Sequence, residues 1–235
     1  MEHAILLNRI EDLKLVSVKY SRLYFGNEFC PHLMPSRSDI NLLVQYIKKR
    51  KVLLTFLSPH ADSQSIVLIK KIIRLLIGYK VLDEVVVNDY GVLYFVNKYF
   101  PEIKIICGRG LSRKVQLTND SILYVKGIRR LEFDFDTQTS KNRTDISVSY
   151  YYPYSVIGAT RYCAFANIKN SNNSNPGIRT CHKECLGLGE YFVSNPELLK
   201  QVILKGNSLF LSNDTGQPIK TDNIDRLVFQ PKIPL

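Results

Sequence analysis

The stretch VLLTFLSPHADSQSIVLIKKIIRLLIGYKVLDEVVV, residues 52–87, carries the pattern that decides the fold. It opens with the apolar run Val52–Leu57, which is typical of a strand buried on both faces. A helix is predicted over Asp62–Ile77, with apolar residues at helical spacing and Gly78 as its stop. Glu84–Val87 is the next apolar run. Strand, helix and strand in this order indicate one βα unit of a parallel sheet.

The same alternation extends on both sides of this unit. Further strands and helices are predicted at Ala4–Leu7, Arg22–Gly26, Ser38–Arg50 (with Ser38 or Asp39 as its cap), Tyr90–Tyr99 and Ile103–Cys107. A chain of 235 residues with this repeat fits a TIM-like βα barrel, since such barrels need at least about 200 residues. An open doubly wound sheet is the alternative. It normally carries a glycine-rich phosphate loop, and neither GxGxxG nor GxxxxGK[ST] occurs.

The second half of the chain changes character, because helical runs become short or absent. Short strands are predicted at Ile122–Val125, Leu131–Phe135 and Ile146–Tyr152. Ser208–Ser212 and Arg226–Phe229 are predicted to form a closing pair of strands around a turn at residues 213–216. No linker separates two domains. We therefore expect a single barrel-like domain over residues 1–235, with a regular first half and a trimmed or irregular second half.

Composition excludes several classes of protein. Hydrophobic residues make up 45% and charged residues 23%, as in a folded domain rather than a disordered or collagen-like chain. No run of about 18 apolar residues is present, so no membrane-spanning helix is expected. The first residues, MEHAILLNRIEDLKLV, lack the features of a signal peptide, so we expect a cytoplasmic protein.

The net charge of +11 is unevenly distributed along the chain. Residues 1–130 carry 21 Lys and Arg against 11 Asp and Glu, whereas residues 131–235 carry 11 against 10. A basic first half is compatible with binding to nucleic acid or to another anionic partner. Basic helix surfaces that only keep the protein in solution explain the same surplus.

Three of the five cysteines are clustered as C-x17-C-x3-C, at Cys163, Cys181 and Cys185. Without an export signal these thiols should stay reduced, and an odd count argues against a disulfide framework. Cys30 follows a predicted strand, so it belongs to a loop at the carboxyl-terminal face of a barrel. Four such thiolates suit a structural zinc ion or an iron–sulfur cluster, and their spacing leaves both open. Cys107 ends an apolar strand, which is typical of a core thiol.

Four parts of the chain carry a family resemblance: YFGNEFC at 24–30, VNDYGVLYFV at 87–96, YSVIGATRYCAFA at 154–166 with TCHKEC at 180–185, and DRLVFQPKIP at 225–234. They resemble the collagenase-like peptidase U32 family, and most closely its iron–sulfur branch, the proteins of oxygen-independent ubiquinone biosynthesis. The resemblance implies a βα barrel and favours iron over zinc. It implies a 4Fe-4S cluster held by Cys30, Cys163, Cys181 and Cys185. It also implies a second U32-type protein as partner.

Three further residues are candidates for catalysis: Asp89, His60 and Arg109. Asp89 lies between a strand and a helix, so it is either a helix cap or a carboxylate at the barrel mouth. His60 follows a strand and is either an acid–base group in the pocket or a surface residue. Arg109 lies between two glycines and is expected to bind an anion. Glu28 is expected beside the cluster or in solvent. Arg161 is expected either to donate to cluster sulfurs or to neutralise the charge of the cluster.

These observations predict a cytoplasmic 4Fe-4S protein that supports an oxygen-independent hydroxylation or related redox step on a small organic substrate. Three alternatives stay open: an RNA-modifying or RNA-binding member of the same family, a U32-type protease, and a protein with a structural zinc site. The chain contains neither GxSxG nor HExxH, so its residues give the protease little support.

Overall fold

The computed structural model describes residues 1–117, 127–135, 146–160, 163–167, 181–194, 201–213 and 224–235. Its strands are β1 (Glu2–Leu7), β2 (Arg22–Gly26), β3 (Leu53–Leu57), β4 (Leu82–Val87), β5 (Lys104–Cys107), β6 (Arg130–Asp134), β7 (Ser147–Tyr152), β8 (Tyr154–Ala159), β9 (Tyr191–Val193), β10 (Val202–Lys205), β11 (Ser208–Ser212) and β12 (Arg226–Phe229). The strand predicted at Ile122–Val125 lies outside the described residues.

Strands β1 to β7 and β12 close into a barrel of eight parallel strands, in the order β1-β12-β7-β6-β5-β4-β3-β2. β1 pairs in parallel with both β2 and β12, so the first strand seals the barrel against the last. The prediction of a TIM-like βα barrel is therefore confirmed, and the open sheet is excluded. All eight barrel positions are filled, so the irregular second half does not interrupt the barrel.

The helices are α1 (Arg37–Arg50), α2 (Ser63–Gly78), α3 (Tyr90–Tyr99), α4 (Arg109–Leu117) and the short α5 (Ala164–Asn167), with 3-10 turns at Ile10–Leu15, Pro31–Leu33 and Glu184–Leu186. Ser36 caps α1 in a reciprocal capping box with Asp39. The expectation that Ser38 or Asp39 caps this helix is wrong, because the capping hydroxyl lies two to three residues earlier. Asp39 is the acidic partner of the box.

A second, antiparallel sheet is inserted between the last two barrel strands of the chain, in the order β8-β11-β10-β9. β11 pairs with β10 and β8, so the prediction that Ser208–Ser212 pairs with Arg226–Phe229 is wrong. The physical reason is the short turn at Gly206, whose φ of 57° is left-handed. It folds β10 directly back onto β11, leaving β12 to close the barrel.

Side chains of the barrel strands alternate between two environments. One set faces the helices and forms the main apolar core, with members such as Leu23, Phe56 and Val85. The other set points into the barrel, where the apolar members are Ala4, Leu6, Tyr24, Leu57, Val86, Ile106, Tyr151 and Val228. The inward set also contains buried charged residues, so the inside of this barrel is partly polar.

Candidate functional site

Loops at the carboxyl-terminal ends of the barrel strands bring the candidate residues to one face. Glu28 and Cys30 follow β2, His60 follows β3, Asp89 follows β4 and Arg109 follows β5. In a βα barrel these loops share one mouth, which is where such folds place their active sites. The strand order β5-β4-β3-β2 makes these four loops consecutive neighbours around the rim.

The loop after β2 has a defined backbone. Gly26 has a φ of 133°, and a Cβ there would lie 2.4 Å from the carbonyl oxygen of Leu57, so only glycine fits. The side-chain oxygen of the buried Asn27 then accepts the backbone N–H groups of Phe29 at 3.0 Å and Cys30 at 2.7 Å. This arrangement turns the chain sharply out of the barrel and holds the backbone of Cys30.

Cys30 and Cys185 are buried, whereas Cys163 and Cys181 are half-buried. The second sheet covers this region with an apolar cluster of Phe29, Val156, Phe165, Cys185, Ile203, Phe210, Ile233 and Leu235, against which Cys163 packs. The structure therefore brings Cys163 and Cys185 to the same cluster as Phe29, the neighbour of Cys30. Three stretches of chain that are far apart in sequence meet here.

Electrostatic coupling links the four thiols. Burial raises the pKa of Cys30 to about 12, with further contributions from Cys181 and Cys185. Burial also raises the pKa of Cys185 to about 11, and Cys163 and Cys181 add to that rise. Such thiols stay protonated near neutral pH. A bound cation would favour their thiolate forms, as metal ions do for coordinating cysteines.

Backbone groups beside two of the cysteines affect their thiols. The backbone N–H groups of His32 and Leu33 oppose the rise in the pKa of Cys30, and that of Leu33 donates to the Cys30 carbonyl oxygen at 3.2 Å. The N–H of Lys183 donates to Sγ of Cys181 at 3.4 Å. Lys183 adopts a left-handed backbone with a φ of 62°, which is uncommon for a residue with a side chain. N–H groups directed at sulfur are among the contacts that tune metal–thiolate centres.

The donor set fits an iron–sulfur cluster or a tetrahedral zinc ion in its chemistry, since both accept four thiolates. Within the part of the chain that the structure describes, no three His, Cys, Asp or Glu side chains are arranged to hold a metal ion. Residues 161–162 and 168–180, which flank Cys163 and precede Cys181, lie outside that part, and so does Arg161. The predicted role of Arg161 stays a prediction.

Cys107 is in a different place from the other four cysteines. It is fully buried and belongs to the core between the barrel and its helices. Its strand position therefore matches the prediction of a core thiol.

Arg109 does not lie open at the mouth to receive an anion, as the sequence led us to expect. Its guanidinium is fully buried, donates to Glu28, and donates to Asp134 at 2.7 Å. Burial opposes its charge, but Glu28 and Asp134 raise the pKa of Arg109 above its ordinary value. Glu28 is 1% exposed, so the expectation of a solvated Glu28 is wrong. Two acidic residues of the chain already occupy the predicted anion site.

Asp89 and His60 have different surroundings. One carboxylate oxygen of Asp89 accepts the N–H of Val92 and caps α3, and the other accepts the N–H of Ala61, both at 2.8 Å. The cap interpretation is therefore confirmed. The half-buried His60 lies against Gly110, where a Cβ would come within 3.0 Å of its ring. A catalytic role for either residue stays a prediction.

Sequence reasoning missed a polar network inside the barrel. Tyr24 and Tyr151 donate to the two carboxylate oxygens of Glu132 at 2.8 and 2.7 Å. Toward the amino-terminal end, Arg226 donates to Tyr24 and to Glu84, and Arg22 pairs with Glu84 at 2.9 Å. The sequence does contain a signal for this network. In LEFDF at 131–135 charged residues occupy alternate positions of an otherwise apolar strand, which places them on one face of the sheet.

A cavity of about 190 Å³ adjoins the cysteine region. Its wall includes Leu33 and Met34 after Cys30, and Lys183 and Leu186 on either side of the Cys185 turn. The rest of its lining is half polar and half apolar: Asn8, Arg9, Glu11 and Asp39 on one hand, and Ile10, Phe25, Pro35 and Leu235 on the other. It is smaller than the pockets that hold drug-sized ligands, which suits a small molecule.

Comparison with known proteins finds a solved structure with the same fold. One solved structure, described as that of the U32 peptidase Mk0906, matches with a TM-score of 0.56, covering 99% of this chain and 93% of that chain. Sequence identity is 9%, so the likeness concerns the fold. No protein-family model and no curated protein sequence matches the chain. None of the described helices has the length and hydrophobicity needed to span a bilayer.

Proposed function

We propose that this chain is a U32-type barrel protein that binds a 4Fe-4S cluster through Cys30, Cys163, Cys181 and Cys185. In this proposal it supports an oxygen-independent hydroxylation or related redox step on a small organic substrate, in the cytoplasm. The proposal is supported by the electrostatic coupling of these thiols near the barrel mouth: Cys30 is coupled to Cys181 and Cys185, and Cys185 is coupled to Cys163 and Cys181. The full-length fold match to a U32 peptidase supports the same family.

Iron is favoured over zinc by the family resemblance and by the character of the site. Cys163 and Cys185 lie among apolar side chains such as Phe165 and Phe210. Burial of this kind, with N–H groups directed at sulfur, is what adjusts the potential of an iron–sulfur cluster. When bound, such a cluster supplies one-electron transfer. The chain's own contribution is to hold the four sulfurs and to exclude water from Cys30 and Cys185.

The substrate is proposed to occupy the cavity lined by Leu33, Met34, Lys183 and Leu186. Its position against both cysteine segments would bring a small molecule beside the cluster. A second U32-type protein is the proposed partner. The exposed strand β9 offers an unpaired edge for such contacts, since it pairs with β10 alone among the described strands.

Two other functions have an observation in their favour. A U32-type protease is supported by the name of the structural neighbour. An RNA-binding member of the family is supported by the outer helices, where Lys70 lies 4.0 Å above the ring of Tyr99 and α2 and α3 contain no acidic residue. Peptide cleavage that survives Cys30→Ser would favour the first. RNA binding that weakens steeply with salt would favour the second.

The test is purification under nitrogen, followed by iron, zinc and acid-labile sulfide analysis and a visible absorption spectrum. We expect a brown protein with iron and sulfide in equal amounts, about four of each per chain, as the cluster requires. Oxidation by air should bleach it. A colourless protein with one tightly bound zinc ion would overturn the redox proposal and favour the structural zinc site.

A further inference from the structure

The acidic residue two positions before Cys30 is tied into a buried ion-pair group. The carboxylate of Glu28 forms an ion pair with Nη2 of Arg109. Its other oxygen accepts a longer hydrogen bond of 3.5 Å from Nε of the same residue. Nη1 of Arg109 donates to Asp134 at 2.7 Å, and the second oxygen of Asp134 accepts from Arg113 at 2.8 Å. The side chains of Glu28, Arg109 and Asp134 are all 0–1% exposed.

This group connects three separate parts of the barrel mouth. Glu28 belongs to the loop after β2, Arg109 begins α4 after β5, and Asp134 ends β6. Cζ of Arg109 also lies 4.1 Å from the ring centre of Tyr151 and 5.4 Å from that of Phe29. Phe29 is the residue between Glu28 and Cys30. Arg109 therefore contacts both residues that precede the cysteine.

A buried ion pair is weak support for overall stability, because desolvation of the charges offsets much of their attraction. The planar guanidinium of Arg109 instead fixes the positions of its partners, since it can bind two carboxylates only in a narrow set of orientations. The backbone of Cys30 is also held by Asn27, through a hydrogen bond of 2.7 Å. Asn27 and Arg109 thus both contact the loop that carries Cys30.

We propose that Arg109 is a positioning residue that, through Glu28 and Phe29, fixes the loop carrying Cys30 and so keeps this sulfur in place at the barrel mouth. The restraint of Cys30 is a property of the protein alone. Its consequence for cluster retention rests on the proposed function.

The opposite end of the barrel offers a matched control. Glu84 is a buried carboxylate that pairs with Arg226 at 2.8 Å and Arg22 at 2.9 Å. It lies in the amino-terminal half of β4, whereas Glu28 lies beyond the carboxyl-terminal end of β2. Glu84→Gln and Glu28→Gln thus remove the same charge from the same kind of pair, at opposite ends of the barrel.

The experiment measures two rates on the full-length protein purified under nitrogen: alkylation of Cys30 by iodoacetamide, followed by peptide mass spectrometry, and iron release to a chelator. For Glu28→Gln we expect Cys30 to be alkylated roughly tenfold faster than in the wild type, because its loop opens more often. Iron release should accelerate to a similar degree. Glu84→Gln should lower the melting temperature but leave both rates within about twofold of the wild type.

Arg109→Lys is the second variant, because it keeps a buried cation but loses the fork. Arg109→Lys should accelerate both the alkylation of Cys30 and the release of iron, as Glu28→Gln does. If Glu28→Gln does not fold, Arg109→Lys still tests the positioning role. Equal alkylation rates in the wild type, Glu28→Gln and Arg109→Lys would overturn the positioning role. Faster alkylation in a chain that binds no iron would support the positioning role and contradict the proposed function.

Discussion

Tyr151 donates its hydroxyl hydrogen to a carboxylate oxygen of Glu132 across 2.7 Å, at a point inside the barrel that solvent does not reach. Burial raises the pKa of Glu132 to about 7, the negative charge of Glu28 contributes to the rise, and the hydroxyl groups oppose it. This carboxyl group therefore titrates near neutral pH in the folded protein. In the unfolded chain it would titrate near its ordinary value of 4.5.

A raised pKa makes the folded state bind the proton more tightly than the unfolded state does. Glu132 thus contributes stability that is complete below about pH 4 and is lost as the pH rises through about 7. We expect the free energy of unfolding in urea to fall between about pH 5 and about pH 8, by up to about 3 kcal/mol. Glu132→Gln should abolish this fall. Glu2 and Asp83, whose pKa values are lowered, titrate below this range. A pH-independent wild type would contradict the assignment.

The second sheet should protect the cysteine region through Phe210, which is fully buried in the cluster that contains Cys185. Phe210→Ala should cost about 3–5 kcal/mol of stability, the usual cost of deleting a buried ring. It should also expose Cys185 to alkylation. Phe192, which is 57% exposed on β9, provides the control. Phe192→Ala should change stability by less than about 1 kcal/mol. Similar effects from both variants would argue against a protective sheet.

Asp89 should behave as a helix cap. Asp89→Ala removes the acceptor for the N–H of Val92 and should lower the free energy of unfolding by about 1 kcal/mol. Asp89→Asn keeps an acceptor oxygen and should restore most of this loss. Thermal or urea unfolding of the three proteins makes the comparison. If Asp89→Ala is as stable as the wild type, the cap contributes nothing and the role of a mouth carboxylate gains weight.

Single cysteine substitutions should separate the four proposed ligands from the fifth cysteine. Cys30→Ser, Cys163→Ser, Cys181→Ser and Cys185→Ser should each lower iron content and visible absorption severely, because each removes one of four thiolates. Cys107→Ala should lower stability by roughly 1–2 kcal/mol, since it leaves a small gap in the core, but should keep full iron content. Loss of iron on Cys107→Ala in a normally folded protein would contradict the ligand set.

Much of the fold followed from local patterns in the sequence. Continuous apolar runs such as Leu53–Leu57, alternating with capped amphipathic helices, specify buried parallel strands with helices outside. The pairing of Ser208–Ser212 did not follow, because an antiparallel hairpin and a barrel strand present similar short apolar runs. What separates them is the tight turn at Gly206, a backbone feature that a lone glycine indicates only weakly.

The site was only partly accessible from the sequence. Cysteine spacing predicted which thiols belong together, because spacing and loop position are local properties, and the role of these thiols as ligands stays a prediction. The partners of Arg109 were not accessible, since Glu28 lies 81 positions away and Asp134 lies 25. Only the closed barrel brings these side chains together. The cap role of Asp89, by contrast, depends on neighbours in sequence and could be predicted.

The Mössbauer spectrum of anaerobically purified protein, grown on iron enriched in the Mössbauer isotope, decides whether the chain holds a 4Fe-4S cluster. It reports the type and valence of every iron centre in the sample. We expect one dominant signal of a diamagnetic 4Fe-4S cluster with thiolate ligands, lost on Cys30→Ser and kept on Cys107→Ala. A sample without iron, or one whose iron is isolated and bound by oxygen and nitrogen, would contradict it.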